Sequence, residues 1–273
     1  MNMESISRDV NTLADFLGKR DVPELTSKAL AKGFGIERAD VCALFGGAIL
    51  GGADVFAGAM RANVARRYAI VGGVGHTTEA FRERVRELCP DVSLADDASE
   101  ADVFEAYLET RHGLRADVLE RLSTNCGNNV TYLRDLLKER HFECSTMILI
   151  HDESMQRRIE AEVRQEMPDV IPVSFASYRV HVIPDEGAET EMSGAVPGLA
   201  FEGEPFGIWT MRRYLTLLMG EMPRLHDDEN GYGPKGMGFI PHVEVPDEIW
   251  DAFLRLRDDF PDFVRQAVPV RAS

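Results

Sequence analysis

The sequence has no surplus of positive charge, no apolar run long enough to cross a membrane, and little cysteine. Lysine and arginine number 30 against 46 aspartates and glutamates, for a formal net charge of −16. Non-specific affinity for nucleic acid comes mostly from cationic side chains replacing phosphate counterions, so a phosphate-coating protein is excluded and no nucleic-acid partner is expected. No stretch approaches the about 18 apolar residues of a transmembrane helix. The amino terminus, Met1 to Arg8, lacks a basic region followed by an apolar core, so a cytoplasmic protein without a membrane partner is expected. The cysteines, Cys42, Cys89, Cys126 and Cys144, contain no C-x-x-C pair, which argues against a zinc knuckle or a dithiol redox motif. Cys42 and Cys144 read as small buried hydrophobes. Cys126 stands in a polar turn before a helix, where a thiol either packs or has its pKa lowered.

What is present is an alternation. Val41 to Phe45, Ala69 to Val71, Val118 to Leu122, Thr146 to Ile150, Val170 to Phe175 and Tyr178 to Ile183 read as strands. Segments of helical periodicity separate most of them. Apolar strands linked through helices imply an α/β fold with a mainly parallel sheet and helices on both faces. The helical runs before residue 38 and after residue 205 have no strands to cover. They are expected to form a smaller helical lobe, 1–37 with 206–273, beside the α/β domain 38–205, leaving a cleft between them. Pro184 to Pro205 reads as a loop or linker.

Chemistry-bearing residues sit where strands end. Gly46-Gly47 follows the first strand, and no Lys-Ser or Lys-Thr follows to make a Walker loop. Gly72-Gly73-Val74-Gly75-His76 follows the second strand; its glycines allow close approach to the main chain, but a third glycine of the dinucleotide fingerprint is missing. Ser99-Glu100-Ala101-Asp102 is a capping box, and Glu100 either complements the helix dipole or binds a hydroxyl or amine. The turn Ser123 to Asn129 puts Asn125, Asn128 and Asn129 before a helix, where unpaired N–H groups gather. It serves either as an ordinary cap or as a ligand site. His151-Asp152 ends the clearest strand, and no further ligand follows at metal spacing, so no metal is expected. Arg157 and Arg158 oppose the dipole near a helix start, which calls for an acidic partner or an anionic ligand. His76, His151 and Asp152 are the candidate acids and bases. Asp227, Asp228 and Glu229, in a long polar loop, form either a solvated face or a grip for a cation.

Taken together, Gly46-Gly47, Gly72-Gly73, Glu100, the Ser123 to Asn129 turn and Met155-Gln156-Arg157-Arg158 resemble the YdcF-like proteins, a bacterial superfamily of unknown function that includes SanA and ElyC. Arg212-Arg213-Tyr214-Leu215 and the loop Arg224 to Gly236 extend the resemblance over nearly the whole chain. It implies a Rossmann-like domain with a smaller lobe and S-adenosyl-L-methionine bound in the cleft. Gly72, Gly73 and Gly75 would approach the adenosine, Glu100 or Asp152 the cationic groups, and Arg158 or a helix start the carboxylate. The Glu-x-Gly-x-Gly-x-Gly pattern of ordinary methyltransferases is missing, which counts against methyl transfer. The alternative expectation is a nucleotide-utilising transferase or hydrolase of the same fold.

Overall fold

The computed structural model describes residues 2–265 apart from 48, 76, 186, 188–193 and 204–205. In chain order the elements are α1 Met3–Leu17, α2 Ser27–Phe34, β1 Ala39–Phe45, α3 Gly51–Arg61, β2 Ala65–Val71, α4 Thr78–Leu88, α5 Glu100–His112, β3 Val118–Glu120, α6 Cys126–Glu139, β4 Thr146–His151, α7 Gln156–Glu166, β5 Ile171–Ala176, β6 Val182–Asp185, β7 Gly198–Phe201, α8 Met211–Leu225 and α9 Asp247–Asp259. They cluster into two compact units. The sheet unit holds Arg20–Asp152 and Glu162–Ser177. The helical unit holds the chain up to Lys19, Glu153–Ala161, and the chain from Tyr178 onward.

The sheet unit is a Rossmann-like α/β fold whose five strands are all parallel in the order β3-β2-β1-β4-β5. Cys42, Ala43, Ile70, Ile148 and Leu149 are fully buried, as strands covered on both faces require. Flanking helices supply that cover: α3 packs on β1, β2 and β4, α5 on β2 and β3, and α6 on β3. The register pairs Phe45 with Val71, Val71 with Glu120, and Leu44 with Ile150, so the carboxyl ends of β1 to β4 finish level. From β1 the chain first builds outward through β2 and β3, then returns to lay β4 on the other side of β1. The direction therefore reverses between β1 and β4, which is where an open α/β sheet leaves its ligand crevice.

The helical unit packs α1, α8 and α9 around one core that includes Val10, Leu13, Leu17, Tyr214, Leu218, Phe253 and Leu256. Asn2 caps α1 by accepting from the amides of Glu4 at 3.1 Å and Ser5 at 3.4 Å. Arg255 grips Asp9 through two hydrogen bonds of 2.8 Å. The Asn11 side chain exchanges hydrogen bonds with the backbone of Val182 at 3.0 and 2.7 Å, which pins β6 to α1.

Three sequence expectations differ from these units. Tyr178 to Ile183 does not finish the main sheet: Val182–Asp185 pairs antiparallel with Gly198–Phe201 in a separate two-stranded sheet. Val182 and Leu199 are buried while Ile183 is exposed, the one-sided burial of an antiparallel pair. The span Pro184 to Pro205 thus contains a strand as well as loop. The divisions fall at Lys19–Arg20 and Ser177–Tyr178 rather than at 37 and 205, because the segment before α2 is tied to β5. There the Ser174 amide donates to Asp21 at 2.7 Å, and the Arg20 guanidinium lies 4.3 Å from the Phe175 ring centre.

The polar loop after α8 is internally bonded. Asp227 accepts from the Lys235 amide at 2.9 Å and pairs with His242 at 2.8 Å, and Asp228 accepts from the amides of Asn230 and Gly231 at 2.8 and 3.0 Å. Asp227 and Asp228 thus tie the loop to itself.

Candidate functional site

The glycine corners of β1 and β2 meet the Ser123 turn that follows β3. Gly46 N donates to Val71 O at 2.5 Å and Gly72 N to Glu120 O at 3.0 Å, while Gly73 N donates to the Ser123 hydroxyl at 2.8 Å. The first turn of α5 closes over them, because Glu100 N and Ala101 N donate to the carbonyls of Gly73 and Gly72 at 2.9 and 2.8 Å. A Cβ on Gly72 would stand 2.9 Å from Glu100 Cβ, and one on Gly46 would strike Glu100 Oε2. A Cβ on Gly47 would stand 2.5 Å from Asp152 Oδ2. Two neighbouring glycines at the end of β1 therefore let a carboxylate from α5 and a carboxylate from the end of β4 close on the same corner. Most of these glycines admit the protein's own groups. Gly75 differs, since the nearest atom to a Cβ there is Thr124 O at 3.5 Å.

Gly73 is the tightest of these positions. A Cβ on it would run into Ser123 O and come within 2.7 Å of Ser123 N and 2.8 Å of Arg121 O, all main-chain atoms that cannot rotate away. Gly73→Ala is expected to lower unfolding stability by about 2–3 kcal/mol, read from urea midpoints at unchanged m-value. An unchanged midpoint would show that the β2 and β3 loops are not in contact.

Glu100 is the electrostatic centre of the corner. Burial raises its carboxyl to about 7, against the lowering effect of hydrogen bonds from Thr78 and Thr77; the Thr78 hydroxyl donates to Glu100 Oε1 at 3.1 Å. Thr78 also accepts from Gly75 N at 2.8 Å and is fully buried. A group that titrates near neutrality changes charge readily when a cation arrives.

Asn125 is the N-cap of α6 and accepts from Asn128 N at 3.0 Å, and Asn129 is buried in the same first turn. His151 is buried, its ring stacks on Phe45 with centroids 6.2 Å apart, and its Nδ1 accepts from Asp152 N at 2.7 Å. That bond puts the proton of the neutral ring on Nε2. His76 lies outside the described residues, as does the Cys126 side chain. Arg158 belongs to the helical unit, where it forms a buried ion pair with Glu221 at 2.5 Å, and Arg157 donates to Phe16 O at 2.6 Å. Of the two partners expected for Arg158, the structure supplies an acid of the protein.

Two contributors were missed from the sequence. Glu120, the last residue of β3, ties the organising turn by accepting from the amides of Leu122 and Ser123 at 2.6 and 3.0 Å. Its Oε2 is buried with no hydrogen-bond partner among the described residues. An acid ending the apolar run Val118-Leu119 was the signal. Thr78 was the other, hidden because a threonine opening a helix reads as an ordinary cap. No protein-family model matches the sequence.

Proposed function

We propose that the chain is a YdcF-like protein that binds S-adenosyl-L-methionine at the carboxyl rim of its sheet. The observation that carries this reading is the pair of carboxylates, Glu100 and Asp152, drawn onto Gly46-Gly47 at the point where the strand order reverses. The residues present fit the ligand. Its sulfonium and ammonium groups are cations that an ionised Glu100 and Asp152 attract. Its carboxylate suits the start of α6, whose first turn has no acidic residue to compete with the positive end of the dipole. Gly75 gives the adenosine room against the main chain, and Asn125, Asn128 and Asn129 offer amides. Arg158 is given no part in this site.

Calorimetric titration tests the reading. Because ionised Glu100 favours a cation, affinity should rise as pH increases from 6 to 8, through the value of about 7 for that carboxyl. Glu100→Gln should flatten this dependence and weaken binding roughly tenfold at pH 8. S-adenosylhomocysteine, which lacks the sulfonium charge, should bind more weakly. Absence of heat with both ligands would overturn the proposal. The near-neutral Glu100 also favours a second reading, a nucleotide-utilising transferase or hydrolase with this residue as general acid or base. Heat with ATP alone, and ATP turnover lost in Glu100→Gln, would select it.

A further inference from the structure

We propose that the helical unit carries a second ligand site, in which Arg213 of α8 and Arg265 together take a phosphate group, free or on a small ester. Arg213 is half-buried in the first turn of α8, yet no carboxylate among the described residues pairs with it. Scarcity is not the reason, because the chain has 46 aspartates and glutamates. The charge that does act on Arg213 is another cation: its guanidinium is held below the usual arginine range first by burial and then by Arg265. Asp259 and Asp262, the acids nearest Arg265 in the chain, form no ion pair with it or with Arg213. Two guanidinium groups drawn together partly out of water repel each other and lose hydration. An anion between them reverses both costs.

The pair is built in. Arg265 packs on Gly220, where a Cβ would stand 3.2 Å from Arg265 Cβ and 3.4 Å from its Cδ, and its carbonyl accepts from Arg224 Nη1 at 3.3 Å. The Arg213 guanidinium lies 5.4 Å from the centre of the Trp209 ring. That ring adds an independent sign, because its Nε1–H is buried with no acceptor among the described residues, and a buried donor left unmatched calls for an explanation. A ligand oxygen would supply the acceptor. No acid stands in the first turn of α8, and Thr210 caps it by accepting from Arg213 N at 3.4 Å, so the positive end of the dipole adds to the two side chains. Planar guanidinium forks match phosphate oxygens bidentately. A phosphate monoester also brings a charge of about −1.5 to −2 at pH 7, whereas a single carboxylate would leave one of the two cations unmatched.

Calorimetric titration of the full chain with inorganic phosphate, phenyl phosphate and succinate at low salt tests the site. Saturable binding of a phosphate, weakened tenfold or more in Arg213→Met and in Arg265→Ala, is the expected result. Phenyl phosphate binding more tightly than the free ion would mark an ester as the ligand, and equal affinities would mark the ion itself. Arg213→Met keeps the apolar stem and removes the charge, so in phosphate-free buffer its thermal midpoint should equal or exceed that of the wild type. A lower midpoint with unaltered phosphate affinity would make Arg213 structural and overturn the proposal. So would succinate binding as tightly as phosphate, or no saturable phosphate binding at all. Arg213 and Arg265 belong to the helical unit and Glu100 with the glycine corners to the sheet unit, so failure here leaves the rim site standing.

Discussion

Between pH 5 and pH 9 the chain is expected to lose on the order of 4 kcal/mol of folding stability through Glu153, and Glu153→Gln is expected to remove most of that loss. Glu153 is fully buried in the helical unit. Its Oε2 accepts from the Tyr214 hydroxyl at 2.9 Å and from Val180 N at 3.4 Å, while its Oε1 has no hydrogen-bond partner among the described residues. Burial dominates and raises the carboxyl from 4.5 to about 8, against lowering by the Tyr214 and Val180 hydrogen bonds, with Asp15 raising it further and Arg179 lowering it. The folded chain therefore holds a proton that the unfolded chain releases above 4.5. Stability is highest at the acid end of this window, falls as pH rises, and levels off once the pH passes about 8. Glutamine keeps an acceptor for Tyr214 without a titrating charge. Urea unfolding of both proteins at half-unit intervals should give curves that coincide near pH 5 and diverge toward pH 9. Parallel curves would show that Glu153 is solvated.

The second large effect concerns Arg158. Arg158→Ala is expected to cost about 3–5 kcal/mol, because it leaves the Glu221 carboxylate buried without its countercharge. Both side chains are almost out of solvent, at 7% and 3% exposure, and the pair closes at 2.5 Å. Replacing both partners by methionine should recover most of the loss, since hydrophobic pairs often equal buried ion pairs in stability. The same variants separate a structural role from a ligand role. On the proposed reading of the rim site, the double-methionine protein should match the wild type in S-adenosylmethionine titrations below its melting transition. A loss of affinity without a loss of stability would return Arg158 to the ligand.

The parallel sheet was legible in the sequence because its strands are unbroken apolar runs such as Val41 to Phe45 and Thr146 to Ile150, each ending in glycine or polar residues. Capping chemistry was equally local: Ser99 and Asp102 form the reciprocal pair their spacing implies, and Asn125 caps α6. What could not be read was pairing between distant segments. Val182–Asp185 looks like one more strand of the main sheet, and only its partner Gly198–Phe201 shows otherwise. Within the candidate site, the glycine corners could be seen, but not what fills them. Gly46 and Gly72 suggested close approach by a ligand, whereas the nearest occupant is Glu100, for which the sequence left a dipole role and a ligand role open. Arg158 was ambiguous for the same reason, since no local signal points to Glu221, 63 positions away.

The ion pair between Asp9 and Arg255 spans 246 positions, and this has a consequence during synthesis. At about 5–20 residues per second, α1 leaves the ribosome roughly 12–50 seconds before α9 exists to meet it. Until β6 and α8 emerge, Val10, Leu13 and Leu17 form an uncovered greasy stripe on a nascent helix, and the cover stays incomplete until α9 arrives. The sheet unit needs nothing translated after Ser177 and can condense first. A chaperone that surveys emerging polypeptides would therefore find a target in α1.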